Sequence, residues 1–87
     1  MASIHIPPQM RDLTGGLADV IVAGATLRQA LRSLDEQFPG LSARIAVEDR
    51  IAPGLAVSID GVVTSRGLLA KVEPTSEIHI LPAFGGG

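Results

Sequence analysis

Residues 25–40, ATLRQALRSLDEQFPG, contain the clearest helix signal in the chain. Thr26 and Gln29 have the spacing of a capping box, in which the threonine side chain accepts from the N3 amide and the glutamine reaches back. The apolar residues that follow recur at helical spacing and form one stripe: Leu27, Ala30, Leu31, Leu34 and Phe38. The sequence therefore predicts one amphipathic helix that begins after Thr26 and ends before Pro39-Gly40.

Two strands are predicted before this helix. Residues 3–6 alternate polar and apolar side chains and are followed by Pro7-Pro8, which stops a strand. Residues 17–23 contain β-branched side chains suited to a sheet, and Gly24 closes this second strand. Residues 14–16, Thr-Gly-Gly, lack the longer frame of a phosphate-binding loop and predict a turn. We expect the two strands to pair as a hairpin.

The chain after the helix returns to strand periodicity. Leu41 and Ile45 are four residues apart and predict one further helical turn, and residues 47–54 predict a surface loop. Residues 55–59 alternate as a third strand, and Asp60-Gly61 is a strong hairpin signal, so a short strand is expected at 62–63. A helical turn is predicted within residues 67–72. The last strand is predicted at 77–81.

The order strand, strand, helix, strand, short strand, strand predicts an α+β domain with one main helix on one face of a mixed sheet of four to five strands. This is the order of a β-grasp, or ubiquitin-like, fold. The residues predicted to face the helix are Ile4, Ile6, Ile78 and Ile80. Those predicted on the other face are Ser3, His5, Glu77 and His79. Residues 1–82 are predicted to form the domain, and residues 83–87 a flexible C-terminal tail.

Composition excludes several classes of function. The chain has 87 residues, a formal net charge of −2 and only two aromatic residues, Phe38 and Phe84, so it offers neither a basic field nor a stacking platform for nucleic acid. No apolar run approaches the roughly 18 residues of a membrane span, and the N-terminus does not resemble a signal peptide. The absence of cysteine suits a reducing compartment. We expect a cytoplasmic protein with no nucleic-acid or membrane partner.

The residues that most resemble catalytic or metal-binding groups are better explained as surface. His5 and His79, with Glu77 as a third candidate, alternate with isoleucines as the solvent side of strands does, so no metal site is predicted. The acidic pairs at 35–36 and 48–49 are adjacent in sequence, whereas acid–base catalysis needs carboxylates that converge across a cleft. Ser58 and Ser65 lie in no nucleophile-elbow pattern. The chain itself is therefore not expected to be an enzyme or to bind a cofactor.

The final residues, Gly85-Gly86-Gly87, are a poor way to finish a packed element but suit a thin, flexible arm. The five residues from Ala83 span at most about 18 Å, and glycines pass a channel that Cβ atoms would block. The chemically useful group is then the Gly87 carboxylate, which becomes an electrophile once it is coupled to AMP. A frayed end is the alternative explanation.

Several features of the sequence together resemble the MoaD and ThiS family of ubiquitin-like sulfur carriers, and within it the CysO-like carriers. They are the predicted strand and helix order, the Thr14-Gly15-Gly16 turn, the helix start at residues 24–27, Pro39-Gly40-Leu41 and the ending IHILPAFGGG. The resemblance spans nearly the whole chain. It implies that a ubiquitin-activating-type adenylyltransferase uses ATP to adenylate Gly87. A sulfur donor protein or sulfide then converts the adenylate to a thiocarboxylate, which a sulfur-accepting biosynthetic enzyme consumes.

The resemblance also implies that the residues before Gly87 contact these partners. The predicted partner-binding residues are Pro82, Ala83, Phe84, Gly85 and Gly86. Phe84 is predicted either to anchor in the partner or to fold back over the sheet edge. Two other functions remain open at this point: a modifier conjugated to lysines, and a small subunit of molybdopterin synthase. The pathway that receives the sulfur is not specified by these residues.

Overall fold

The computed structural model describes residues 1–83 of the chain. The elements in this part are β1 Ala2–His5, a 3₁₀ helix Pro8–Thr14, β2 Asp19–Val22, α1 Leu27–Gln37, α2 Ser42–Ile45, β3 Ala46–Val47, β4 Arg50–Ile51, β5 Leu55–Ile59, β6 Val62–Val63, a second 3₁₀ helix Gly67–Leu69 and β7 Glu77–Pro82. Five strands form one sheet in the order β2-β1-β7-β5-β6, and β3 and β4 form a separate pair. The predicted α+β order with one main helix is confirmed.

The last strand of the fold lies in the centre of the sheet. β7 runs parallel to β1, with Ile4 opposite Ile78, and antiparallel to β5, with Val57 opposite Ile80. These pairings make the sheet mixed, and they surround the C-terminal strand with neighbours on both sides. The segment that leads to the C-terminus is therefore held by long-range pairing.

The two faces of the sheet are divided as the alternation predicts. Ile4, Ile6 and Ile78 are fully buried and Ile80 nearly so, in the core that includes α1. The buried residues of α1 are Leu27, Ala30, Leu31 and Leu34, and Phe38 packs against the same core while partly exposed. One apolar stripe on one helix thus covers one face of the sheet, and the other face is left open.

α1 begins as predicted. Thr26 has extended backbone angles, and its Oγ1 accepts a hydrogen bond from the Gln29 amide at 3.3 Å. The Gln29 Oε1 accepts from the Ala25 amide at 2.8 Å, one residue before the helix cap. Two amides at the helix start, which have no partner within the helix, are therefore satisfied by side chains.

Side chains of α1 also protect the β2 edge of the sheet. Gln37 Nε2 donates to the Ile21 carbonyl at 2.8 Å, and Ser33 Oγ accepts from the Ala23 amide at 3.1 Å. These contacts occupy backbone groups that an edge strand otherwise offers to another chain. The β2 edge is thus less suited to strand addition than its position in the sheet suggests.

The prediction of a surface loop over residues 47–54 is wrong for residues 47, 50 and 51, which lie in short strands, although most of the segment is exposed. β3 and β4 form a short hairpin whose turn residues Glu48 and Asp49 have φ values of 51° and 61°. Such a turn normally favours Asn-Gly, so the Glu-Asp pair carries no hairpin signal in the sequence. Ala52 after the hairpin is buried, and its amide donates to the Ile45 carbonyl at 2.7 Å. The segment is packed against the domain.

The connection between β1 and β2 also differs from the prediction. β1 and β2 pair antiparallel as expected, but a 3₁₀ helix over Pro8–Thr14 precedes the predicted turn. Pro8 provides a fixed φ suited to the first helical position, which explains why two prolines end the strand and begin a helix. β2 begins at Asp19, and Leu17 lies outside it and is exposed. None of the helices within residues 1–83 is long and apolar enough to cross a membrane.

Candidate functional site

The candidate site begins where β7 leaves the sheet. Pro82 is paired with Leu55 of β5, and the Ala83 amide donates to the Gly54 carbonyl at 2.9 Å. Pro82 is exposed and Ala83 is half-buried. Backbone pairing therefore extends one residue past β7, so that the direction of the chain at Ala83 is set by β5. Phe84, and with it the predicted reactive segment 85–87, lies outside the described residues, and the predictions made for these residues stay predictions.

The face of the sheet that α1 does not cover extends to the point where the chain leaves β7 at Ala83. The register places one side chain from each strand in a row across the sheet: Asp19, His5, His79, Ser58 and Val63. The next row toward the exit contains Leu81, opposite Ala56. Leu81 and Val63 are exposed, and we call the surface formed by His79, Ser58, Val63, Leu81 and Ala56 the exit face. The exit face combines apolar side chains with one imidazole, and Leu81 lies two residues before Ala83.

The His5 ring is held by two charged neighbours. Its Nδ1 lies 3.1 Å from Asp19 Oδ1, and its Nε2 lies 3.4 Å from Arg11 Nη2. Arginine only donates, so Nε2 must accept and Nδ1 must carry the hydrogen that is donated to Asp19. The orientation of the His5 ring is therefore set by one contact at each ring nitrogen. The His79 ring packs against it, with the ring centroids 5.2 Å apart and tilted by 31°.

The contacts of His5 and His79 do not resemble a catalytic or metal centre. His79 lies opposite Ser58 in the register, a neighbour that sequence spacing did not suggest, but no hydrogen bond joins the two side chains within residues 1–83. No cluster of three potential metal ligands occurs among residues 1–83.

The other end of β7 is fixed by Asp60. Its carboxylate accepts from the Glu77 amide at 2.9 Å and from the Ser76 hydroxyl at 2.8 Å. The Asp60 amide in turn donates to the Glu77 carbonyl at 2.9 Å. The hydrogen bonds from Glu77 and Ser76 hold the pKa of Asp60 below its usual value. The turn between β5 and β6 is thus fastened to the start of the strand that ends in the candidate site.

We expect this carboxylate to make stability sensitive to acid. Because the pKa of Asp60 is lower in the folded state, its contribution is complete above the unfolded pKa of about 3.9 and is lost as pH falls through the folded pKa. Asp60→Asn removes the titrating group, so the difference in Tm between wild type and variant should shrink as pH falls from 6 to about 2. Thermal unfolding followed by circular dichroism measures this. A difference that stays constant over this range would contradict the assignment.

The comparisons with known proteins agree on one family. The model of the ThiS family matches residues 4–87. The chain belongs to the ThiS family. It is 30% identical over 92 residues to the sulfur carrier protein CysO of Mycobacterium tuberculosis (strain ATCC 25618 / H37Rv), covering 98% of this chain and 97% of the relative. The predicted membership of the MoaD and ThiS family is therefore confirmed.

Solved structures show the same fold. A chain in the crystal structure of the Amycolatopsis orientalis BexX/CysO complex superposes with a TM-score of 0.91 at 29% identity, covering 100% of both chains. The solution structure of small archaeal modifier protein 1 from Methanosarcina acetivorans superposes with a TM-score of 0.76 at 22% identity, covering 99% of this chain and 95% of that chain. The second likeness shows the β-grasp fold alone. The chain in the BexX/CysO complex has the same overall fold as this chain.

No pattern in the sequence predicts the exit face as a whole. Leu81 was recognised only as the end of a strand, because its exposure depends on which neighbours β7 acquires. β1 pairs with residues 77–79 of β7, so Leu81 lies beyond that pairing, and on its other side only Ala56 is opposite. The one signal in the sequence is that Leu81 follows His79 at the spacing of two that places both on one face.

Proposed function

We propose that this chain is a sulfur carrier whose Gly87 carboxylate is adenylated and then converted to a thiocarboxylate. The observation that carries the proposal is the match to the ThiS family, which extends to Gly87. Similarity to the sulfur carrier protein CysO over 98% of the chain supports it. The chain contains no cysteine, so sulfur cannot be held as a side-chain thiol or persulfide. Without cysteine, the carrier needs a carbonyl carbon to bind the sulfur, and the carboxylate of Gly87 supplies one.

The chemistry requires two steps at this carbonyl. The Gly87 carboxylate attacks the α-phosphorus of ATP, pyrophosphate leaves, and an acyl-adenylate forms. Hydrosulfide then attacks the carbonyl carbon, the bond to the AMP oxygen breaks, and AMP leaves with the oxygen. The products are the thiocarboxylate, AMP and a proton. ATP and the sulfur donor are substrates of a partner adenylyltransferase, and the carrier contributes the acyl group.

The geometry of the described residues favours presentation over catalysis. Hydrogen bonds at both ends of β7, from Glu77 to Asp60 and from Ala83 to Gly54, hold the strand before the arm. The exit face places Leu81 next to the arm, and exposed apolar side chains of this kind are where partner proteins bind. We infer that the activating enzyme contacts the exit face while it receives residues 84–87.

The test is the intact mass of the protein isolated from its own cells. We expect a species heavier than the unmodified chain by the difference between sulfur and oxygen, and fragmentation should localise the difference to Gly87. Little of the protein should be attached to lysines of other proteins. If the protein occurs mainly as isopeptide adducts and no thiocarboxylate forms even when sulfide is plentiful, the carrier proposal is wrong and a modifier function replaces it.

The same measurement tests the exit face. Leu81→Ser in the native cell should lower the thiocarboxylate fraction about fivefold, because truncating an apolar anchor typically costs 1 kcal/mol or more of binding. Leu17→Ser is the matched control, since Leu17 is also an exposed leucine but precedes β2. Equal fractions in the two variants would show that Leu81 is not part of the contact.

A further inference from the structure

A groove lined by cationic side chains lies on the side of the sheet that α1 covers. It consists of two shallow depressions of about 230 and 360 Å³ that share Arg28, Asp49 and Leu68 and are therefore continuous. We call it the arginine groove. Its cationic side chains are Arg28, Arg32, Arg50 and Arg66. None of its lining residues belongs to the exit face.

The charge of the arginine groove is opposite to that of the whole chain. The chain has a net charge of −2, yet four of its seven cationic side chains line this groove. They are contributed by α1, by β4 and by the segment before the second 3₁₀ helix, so residues distant in sequence converge on one surface. Such a local reversal of sign attracts an acidic partner.

The carboxylates in the groove are already engaged. Asp49 accepts from Arg28 Nη1 at 2.7 Å. Asp35 accepts from the Ser42 hydroxyl at 2.9 Å and from the Gly40 amide at 3.0 Å, and these hydrogen bonds, with that of Ser42 the stronger, lower the pKa of Asp35. Within residues 1–83, the guanidinium groups of Arg32, Arg50 and Arg66 form no ion pair. Donors are thus available to an incoming acidic group.

The groove also offers apolar surface. Leu31 and Leu68 are buried at its floor, whereas Leu69 at its rim is 72% exposed. The second 3₁₀ helix therefore directs one leucine into the core and the next one into solvent. A leucine at the rim of a charged groove is an anchor point of the kind found at protein interfaces.

We propose that the arginine groove binds an acidic, leucine-containing segment of a partner protein. Its length and its exposed arginines suit several carboxylates spaced along a polypeptide, whereas a small anion needs donors that converge on one point. Because the arginine groove and the exit face share no residue, a partner in the groove leaves the residues of the exit face to a second partner. The carrier is then held by one protein while another acts on its terminus.

The experiment is an NMR titration of the ¹⁵N-labelled full chain with a capped peptide of Glu-Glu-Leu repeats. We expect amide shifts at residues 66–69 and at Arg50, with affinity falling as salt is raised. Peptides of Gln-Gln-Leu and Glu-Glu-Ser repeats should bind more weakly, because each lacks one of the two recognised features. Inorganic phosphate should cause no saturable shifts at these amides.

Variants provide the decisive comparison. Arg50→Ser combined with Arg66→Ser should weaken the Glu-Glu-Leu peptide about fivefold, since exposed ion pairs contribute little each, and Leu69→Ser should weaken it by a similar factor. Arg44→Ser is the matched control: Arg44 is exposed but does not line the groove, so its effect should stay within about twofold. These changes are at exposed positions, and an unchanged Tm will show that folding is intact.

Three results would overturn the proposal. They are an absence of groove shifts, equal binding of the Gln-Gln-Leu peptide, and saturation of the same amides by phosphate alone. The titration involves neither ATP nor sulfur, so its outcome is independent of the carrier function. Conversely, the groove variants should leave the thiocarboxylate fraction at Gly87 unchanged in a cell where Leu81→Ser lowers it.

Discussion

Removal of Gly86 and Gly87 is expected to abolish activation of the chain by its adenylyltransferase. The deletion withdraws the terminal carboxylate by about 7 Å, and misplacement of a reacting group by far less costs on the order of 100-fold in rate. The buried apolar side chains of the described residues all lie between Ala2 and Ile80, so Tm should barely change. Pyrophosphate release measured with ATP and the activating enzyme tests this directly.

A lengthened arm is the control for the deletion. Adding one glycine after Gly87 keeps every native residue but moves the carboxylate by about 3.6 Å. If the position of the carboxylate decides activation, this variant should also fail, whereas a requirement for a terminal Gly-Gly sequence alone would leave it active. Comparable pyrophosphate release from the native and the truncated chain would refute the assignment of Gly87 as the reactive residue.

Gly24→Ala is expected to have the largest effect on stability. A Cβ at Gly24 would lie 2.6 Å from Gln29 Cβ and 2.8 Å from the Ala30 amide nitrogen, both in the first turns of α1, and φ at Gly24 is +136°. The backbone nitrogen cannot move without displacing the helix, so we expect a loss of about 3 kcal/mol or more. For a domain of this size that corresponds to a fall in Tm of about 12 °C or more.

Gly40→Ala separates the cost of the positive φ from the cost of the steric clash with α1. Gly40 also has a positive φ, of 95°, but a Cβ there meets no atom within 4 Å. Its replacement therefore measures the cost of the left-handed backbone alone, about 1–2 kcal/mol. Thermal unfolding of the two variants should show a clearly larger loss for Gly24→Ala. Equal losses would mean that close packing of the β2–α1 connection against the helix is not important.

Much of the fold was predictable because its signals are local. The capping residues around Thr26 and the apolar stripe of α1 depend only on spacing along a helix. The alternation over residues 55–59 and the Asp60-Gly61 turn are equally short-range, and β5 and β6 occur where they were predicted. The β3–β4 hairpin was missed because its turn residues, Glu48 and Asp49, adopt positive φ without the side chains that usually favour it.

The fold class and the face of the sheet that the helix covers followed from the sequence, because each depends on the periodicity of apolar residues along the chain. The glycine arm stays a prediction. Only the tertiary structure decided which surfaces can meet a partner. The pairing of β7 with both β1 and β5 creates the exit face around Leu81. Packing of the second 3₁₀ helix against both α1 and β4 brings Arg28, Arg50 and Arg66 into one groove. Long-range pairing and helix packing join residues whose spacing in the chain carries no information about their distance in space.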